Sequence, residues 1–368
     1  MKKYLFKCII LISIVNQLSA QIILNNDPNN QEDSKTNLMK SEKNITKNLT
    51  HWQVLKYPMI STGINVAMVG SAGFLDSADV ADVDVPLWFN ALITAEHMPL
   101  YAQDKKLAMK YSISHASLIG GHYLSKNSPT LTLVPFNAHI KTAMFSTYES
   151  YKISRRMAKP GIYQDELQEQ TIGSLSLAPF KLENLKRPIF YIPFGLSAIF
   201  QVKGMLDSDD AIWKTNKVYV DNEQMNASLA VPLVTAGNMI NNLATAVGEE
   251  ALYRGVIYEE LKSSFGSRRA KCIDFFLFPA IHVPQDLARK LEPGEITGLF
   301  LMRGVSTLFF DYAYDKGGLP LSVTLHTWLN MLGYTTRWLG SSGVPQKTDN
   351  TKSTSVSPNM SFGISIAF

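Results

Sequence analysis

Residues 224–248 run for 25 positions without Asp, Glu, Lys or Arg, and the run ends directly on Glu249-Glu250, with Arg254 one helical turn further on. A charge-free stretch of that length suffices to cross a hydrocarbon core about 30 Å thick, which takes ~20 apolar helical residues. An acidic pair at the end of such a stretch is expensive to keep there, so it marks a candidate for function. On a helix, Glu250 and Arg254 are four apart and face each other, whereas Glu249 projects about 100° away. The pattern predicts Glu250 paired with Arg254 and Glu249 left free, a general base beside a structural ion pair.

Other runs repeat the signal. Residues 57–75 contain 19 positions and residues 317–336 contain 20 without a charged side chain. Shorter runs occupy 188–202 and 275–285, and 296–310 is apolar except for Arg303. Together they predict an all-α chain, a polytopic bundle of membrane helices with its active-site cavity among the C-terminal helices. The stretches 86–103 and 111–124 read as short buried or interfacial helices. Residues 141–159 read as an amphipathic surface helix whose basic residues, among them Lys152, Arg155 and Arg156, are solvated. No internal repeat or heptad seam is present.

The first 20 residues, basic at Lys2, Lys3 and Lys7, apolar from Ile9 and ending in Ser19-Ala20, form a secretory signal or an uncleaved N-terminal anchor. Residues 21–50, rich in Asn, Lys, Ser and Thr, read as a flexible polar segment, and 51–226 as a region with membrane or interfacial helices. Residues 341–368 read as a tail whose alternating last residues form one strand at most, too little to close a barrel. The formal net charge is +4, of which the first 20 residues contribute +3. The remainder is nearly neutral and carries no electrostatic footprint for nucleic acid. With 46% hydrophobic and 18% charged residues the chain is not a disordered protein. Its two cysteines, Cys8 and Cys272, supply no disulfide framework.

Two histidines follow the acidic pair. In FFLFPAIHVPQD, Phe278 and His282 are four apart, and Pro279 and Pro284 bracket the histidine and should interrupt the helix there. In GGLPLSVTLHTWLNML, His326 and Asn330 share one helical face. A lone histidine on an apolar face is usually a satisfied core residue. Two of them with a spare glutamate, on three hydrophobic helices, point to one shared site.

Taken in order, Glu249-Glu250-xxx-Arg254, Phe278-xxx-His282 and His326-xxx-Asn330 resemble the CPBP family of intramembrane proteases, which includes the type II CAAX prenyl endopeptidases and proteins linked to bacteriocin processing and immunity. Gly298, opening the helix before the last motif, and a basic loop after the first fit the same resemblance, which covers a core at residues 227–340. The resemblance implies peptide-bond hydrolysis in a polar cavity of an inner-membrane protein, with membrane lipid and a membrane-associated protein or peptide as partners. Carried over by motif, Glu249 and His282 activate the attacking water, His326 and Asn330 stabilise the oxyanion, and Glu250 and Arg254 hold the site together.

Glu249, His282 and His326 form an acceptable zinc set with an open fourth position. The HExxH helix of soluble zinc peptidases is absent, and a metal-free mechanism uses the same residues equally well. Asp311 and Asp315 read as interfacial. Lys262, Arg268, Arg269 and Lys271 place the loop after the first motif in the cytoplasm, which requires an odd number of spans before it if the signal is removed. The competing reading is a membrane scaffold or immunity protein that retains the fold without catalysis. A transporter would show two related halves, and none are visible.

Overall fold

The computed structural model describes residues 103–125, 129–158, 170–208, 211–220, 223–288 and 291–341. The signal segment, the polar lead-in, the 57–75 run, nearly all of the 86–103 stretch and the tail beyond 341 lie outside the described residues. The described chain is mostly helical, in keeping with the all-α expectation. Its helices are α1 (Lys105–Ser125), α2 (Pro129–Ala158), α3 (Ile172–Leu177), α4 (Leu182–Leu185), α5 (Pro188–Leu206), α6 (Ala227–Leu252), α7 (Glu259–Phe265), α8 (Ser267–Ala280) and α9 (Val283–Ala288), followed by a helical run over Pro293–Gly340. A two-stranded antiparallel hairpin, β1 (Lys217–Val220) and β2 (Glu223–Asn226), precedes α6.

The run Pro293–Gly340 is two helices. Ser322 Oγ donates to the carbonyl of Phe310 at 3.2 Å, and the Phe310 ring stacks on His326 at 4.7 Å. In one straight helix, residues 12 apart would stand about 18 Å from each other. The chain therefore reverses at Gly318, whose φ of 66° and ψ of −166° are open to glycine alone. Arg187 Nη1 donates to the Lys316 carbonyl at 2.9 Å and covers the end of the first limb. The limbs are α10 (293–317) and α11 (319–340). The first begins at Pro293, so Gly298 lies inside that helix instead of opening it.

Pairwise contacts fix the directions. Lys141–Glu249, Tyr151–Glu260 and Arg155–Ser263 keep sequence offsets of 108, 109 and 108, so α2 runs parallel to α6–α7. Gln103 meets Ser150 and Ser154 while Tyr111 meets Phe145, so α1 is antiparallel to α2. Arg187–Lys316 and Gln201–Thr336 make α5 parallel to α11. Arg254–Asp311 and Tyr258–Asp315 make α10 parallel to the rod from α6 to α7, and Lys271–Asp315 with Phe275 against Gly304 makes α8 antiparallel to α10. Each successive long element, α1, α2, α5, α6–α7, α8, α10 and α11, thus reverses the one before it, as short connections in a helical bundle favour.

Beside an apolar core that includes Phe145, Phe310 and Leu325, the bundle exposes large apolar side chains and buries charged ones. Leu196, Ile199 and Phe200 on α5, Phe276 on α8, and Leu301 and Val305 on α10 are exposed, Phe200 to 74%. Glu249, Glu250, Arg254, Asp274, Arg303 and Asp311 are buried. Among the described residues, α5 is the one helix both long and apolar enough by itself to cross a membrane. Helix α2 corrects the expectation of a solvated basic face: Lys141, Lys152 and Arg155 are buried. Asp311 is likewise buried instead of interfacial, because Arg254 draws it inward, whereas Asp315 stays near the edge, paired with Lys262 and Lys271. The basic residues after the first motif sit on the ends of α7 and α8, separated by Gly266, with no longer loop between the helices.

Candidate active site

Glu249 and Glu250 occupy the last turn of α6, and a π-helical turn over Tyr253–Tyr258 continues the rod into α7. Such widened turns concentrate at functional positions because they re-aim side chains within a continuous helix. Here the turn carries Arg254 into the centre. Its Nη1 donates to Glu250 Oε1 at 3.2 Å and its Nε to Asp311 Oδ1 at 3.1 Å, with Asp274 Oδ2 3.7 Å from Nη2. The guanidinium also lies over the rings of Phe278, at 4.8 Å, and Phe310, at 5.1 Å.

Those two rings position both histidines. Phe278 meets His282 edge-on at 5.1 Å, and Phe310 stacks on His326. Helix α8 ends at Ala280, His282 sits in the turn, and α9 starts at Val283, so the bracketing prolines break the helix as expected. Behind His282, Asp286 accepts both terminal nitrogens of Arg303, the Nη2 bond at 3.0 Å, and both side chains are buried. This fork pins the segment carrying His282 to α10.

Glu250 is fully engaged. Beyond Arg254, it pairs with His326 Nδ1 at 2.6 Å and accepts from Ser322 Oγ. With the Nδ1 proton directed at Glu250, His326 Nε2 is a proton acceptor in the neutral ring and a donor in the imidazolium. That nitrogen lies 3.8 Å from Glu249 Oε2. Glu249 is not wholly free, contrary to the sequence expectation: the Lys141 ammonium of α2 holds its Oε1.

Unpartnered buried polar atoms occur on all three motifs, as they do on Asn238, Asp274, Asp311 and Trp338 elsewhere in the bundle. Glu249 Oε2, His282 Nε2, His326 Nε2 and both amide atoms of Asn330 are buried and have no protein hydrogen-bond partner. The charge of Glu249 reaches both His282 and His326, and Asn330 follows His326 by one turn on α11. Buried polar atoms are seldom left unpaired, because each costs on the order of 1–3 kcal/mol. Four side chains from three segments therefore present unused hydrogen-bonding capacity to one interior region, the chemistry that a water and a peptide carbonyl require.

Among the described residues, no group of three or more His, Cys, Asp or Glu side chains is disposed to hold a metal ion. The ammonium on Glu249 already supplies a cation there. Glu249, His282 and His326, the set open to zinc in the sequence, are thus not assembled as a ligand group among the described residues.

Sequence reasoning brought together Glu249, Glu250, Arg254, His282, His326 and Asn330 but missed Lys141, Ser322, Asp274, Asp311 and the Asp286–Arg303 fork. Arg303, alone in an otherwise uncharged stretch, was the one visible signal.

Residues 232–332 match the protein-family model described as type II CAAX prenyl endopeptidase Rce1-like. The match spans all three motifs and leaves α1, α2 and α5 outside it. No curated protein and no solved structure matches the chain.

Proposed function

Starting from the Rce1-like domain at residues 232–332, which supports membership of the CPBP intramembrane proteases, we propose that the chain is a membrane-embedded endopeptidase hydrolysing a peptide bond of a membrane-associated protein or peptide. The observation that carries this reading is the set of unpartnered buried atoms on Glu249, His282, His326 and Asn330. The outward apolar residues of α5, α8 and α10 around an ionic interior, and the strict alternation of helix directions, support a polytopic arrangement in a bilayer. The basic ends of α7 and α8 support a cytoplasmic orientation for that side of the bundle and, for a bacterial chain, the inner membrane.

In this mechanism a water lies between Glu249 Oε2 and His282 Nε2. Glu249 accepts a proton as the water oxygen bonds to the substrate carbonyl carbon. The developing oxyanion accepts hydrogen bonds from the Asn330 amide and from the imidazolium form of His326. Glu250 fixes the His326 ring, and Arg254 fixes Glu250. The proton held by Glu249 then passes to the leaving amine nitrogen as the C–N bond breaks.

Proteolysis of a pool of membrane-tethered peptides in liposomes tests the reading. Wild type cuts a subset, and Glu249→Ala and His282→Ala do not. A folded wild-type protein that cuts nothing, while it and the variants capture the same partner, supports the scaffold reading instead.

A further inference from the structure

Helix α2 lies outside the Rce1-like segment, yet it delivers a charged side chain to the first motif. Lys141 is 3% exposed and its ammonium meets Glu249 Oε1. The approach depends on the residue beside Glu249: a β-carbon on Gly248 would stand 2.5 Å from Lys141 Cβ and 2.7 Å from its Cα, so only glycine lets the two helix backbones touch there. One turn-pair further on, Gly255 admits the Tyr148 ring in the same way. The parallel packing of α2 on α6 is thus tight at the residue beside Glu249.

Two other groups of the site face Glu249. His326 Nε2 is 3.8 Å from its second oxygen, and His282 approaches from the turn between α8 and α9, whereas Glu250 is directed away onto Arg254 and His326. Lys141 is the cation in direct contact with the Glu249 carboxylate. A buried carboxylate stripped of its countercharge takes up a proton or moves to find another partner.

We propose that Lys141 is a positioning residue for the hydrolytic reaction: its ammonium fixes one oxygen of Glu249, so that the other faces the attacking water. Through this contact α2 becomes part of the active site. The claim rests on the peptidase reading for its kinetic consequence, and on geometry alone for the pairing.

Two measurements on the full chain in liposomes separate those parts. The first is labelling of Glu249 by dicyclohexylcarbodiimide, which reacts with protonated carboxyl groups in apolar surroundings, read at pH 7 by peptide mass mapping. Lys141→Met increases labelling at least about 10-fold over wild type, and Lys141→Arg keeps it low. Equal labelling of wild type and Lys141→Met overturns the pairing. The second is turnover of a cleaved peptide: Lys141→Met lowers kcat about 10²-fold with little change in KM, and Lys141→Arg recovers part of the loss. A Lys141→Met protein with wild-type kcat overturns the positioning role. Should Lys141→Met not fold, Lys141→Gln replaces it in both arms. If wild type cuts no peptide but labelling still responds to Lys141, the peptidase reading has failed and the pairing has not.

Discussion

Glu250 Oε1 lies 2.6 Å from His326 Nδ1, joining two motifs 76 residues apart in the chain. The same carboxylate accepts from Arg254 and Ser322, so one side chain couples the end of α6 to α11. A carboxylate behind an imidazole sets its tautomer and stabilises its protonated form. Glu250→Gln preserves the shape and removes the charge. It should lower kcat by about 10²-fold or more while the fold survives, measured as peptide turnover beside the circular dichroism spectrum. Turnover equal to wild type would mean that His326 does not work through this bond.

Arg254 contacts Glu250, Asp274 and Asp311 at once. Replacing it with Met leaves buried carboxylates uncompensated, at a cost of about 3–5 kcal/mol. Thermal unfolding in detergent should show a large loss for Arg254→Met and partial recovery when Asp311→Leu is added. Arg254→Lys should not restore the wild type, since one ammonium cannot reach three carboxylates and lie between two rings.

The Asp286–Arg303 fork predicts a separate effect, on His282. Arg303→Leu and Asp286→Leu should each reduce turnover by about 10²-fold, because the turn bearing His282 loses its anchor to α10. The double variant, which buries no unpaired charge, should be more stable than either single one in the same unfolding assay. Three equal stabilities would show that the pair is not coupled.

Much of this organisation was legible in the sequence because its signals are local. The uncharged run 188–202 became α5 and the run 224–248 became α6 from Ala227 onward, the proline bracket broke the helix at His282, and the i, i+4 spacing of Glu250 and Arg254 produced their ion pair. Lys141 was hidden because a basic residue on an amphipathic stretch looks solvated until a distant acid is placed against it. Asp311 was hidden for the same reason, its partner being 57 positions away. The reversal at Gly318 was concealed because Gly317-Gly318 and Pro320 counted only as uncharged residues, although a glycine pair before a proline is also a turn signal.

At the edge of the bundle the charge balance gives a pH dependence. Partial burial pushes the Asp315 carboxyl up, but hydrogen bonds from Lys271, Lys262 and Ser267 outweigh it and leave it below the ordinary carboxylate value. A carboxyl held lower in the folded than in the unfolded state stabilises the fold above its unfolded value, about 3.9, and that stabilisation disappears as pH falls through the folded value. Acid unfolding of wild type should therefore show a component at and below about pH 4 that Asp315→Asn lacks. Salt should weaken it, since these side chains are partly exposed.

The central claim is that Glu249, His282, His326 and Asn330 act on one substrate as one site, and the most direct test is the non-additivity of their losses. In liposomes, with a peptide that wild type cleaves, Glu249→Gln and His282→Ala should each lower kcat/KM by at least about 10³-fold, and the double variant should be no worse than the poorer single one. His326→Ala and Asn330→Ala should each cost about 10²-fold in kcat. Losses that simply multiply in the double variant, or a folded Glu249→Gln protein that cleaves at the wild-type rate, would contradict a shared hydrolytic site.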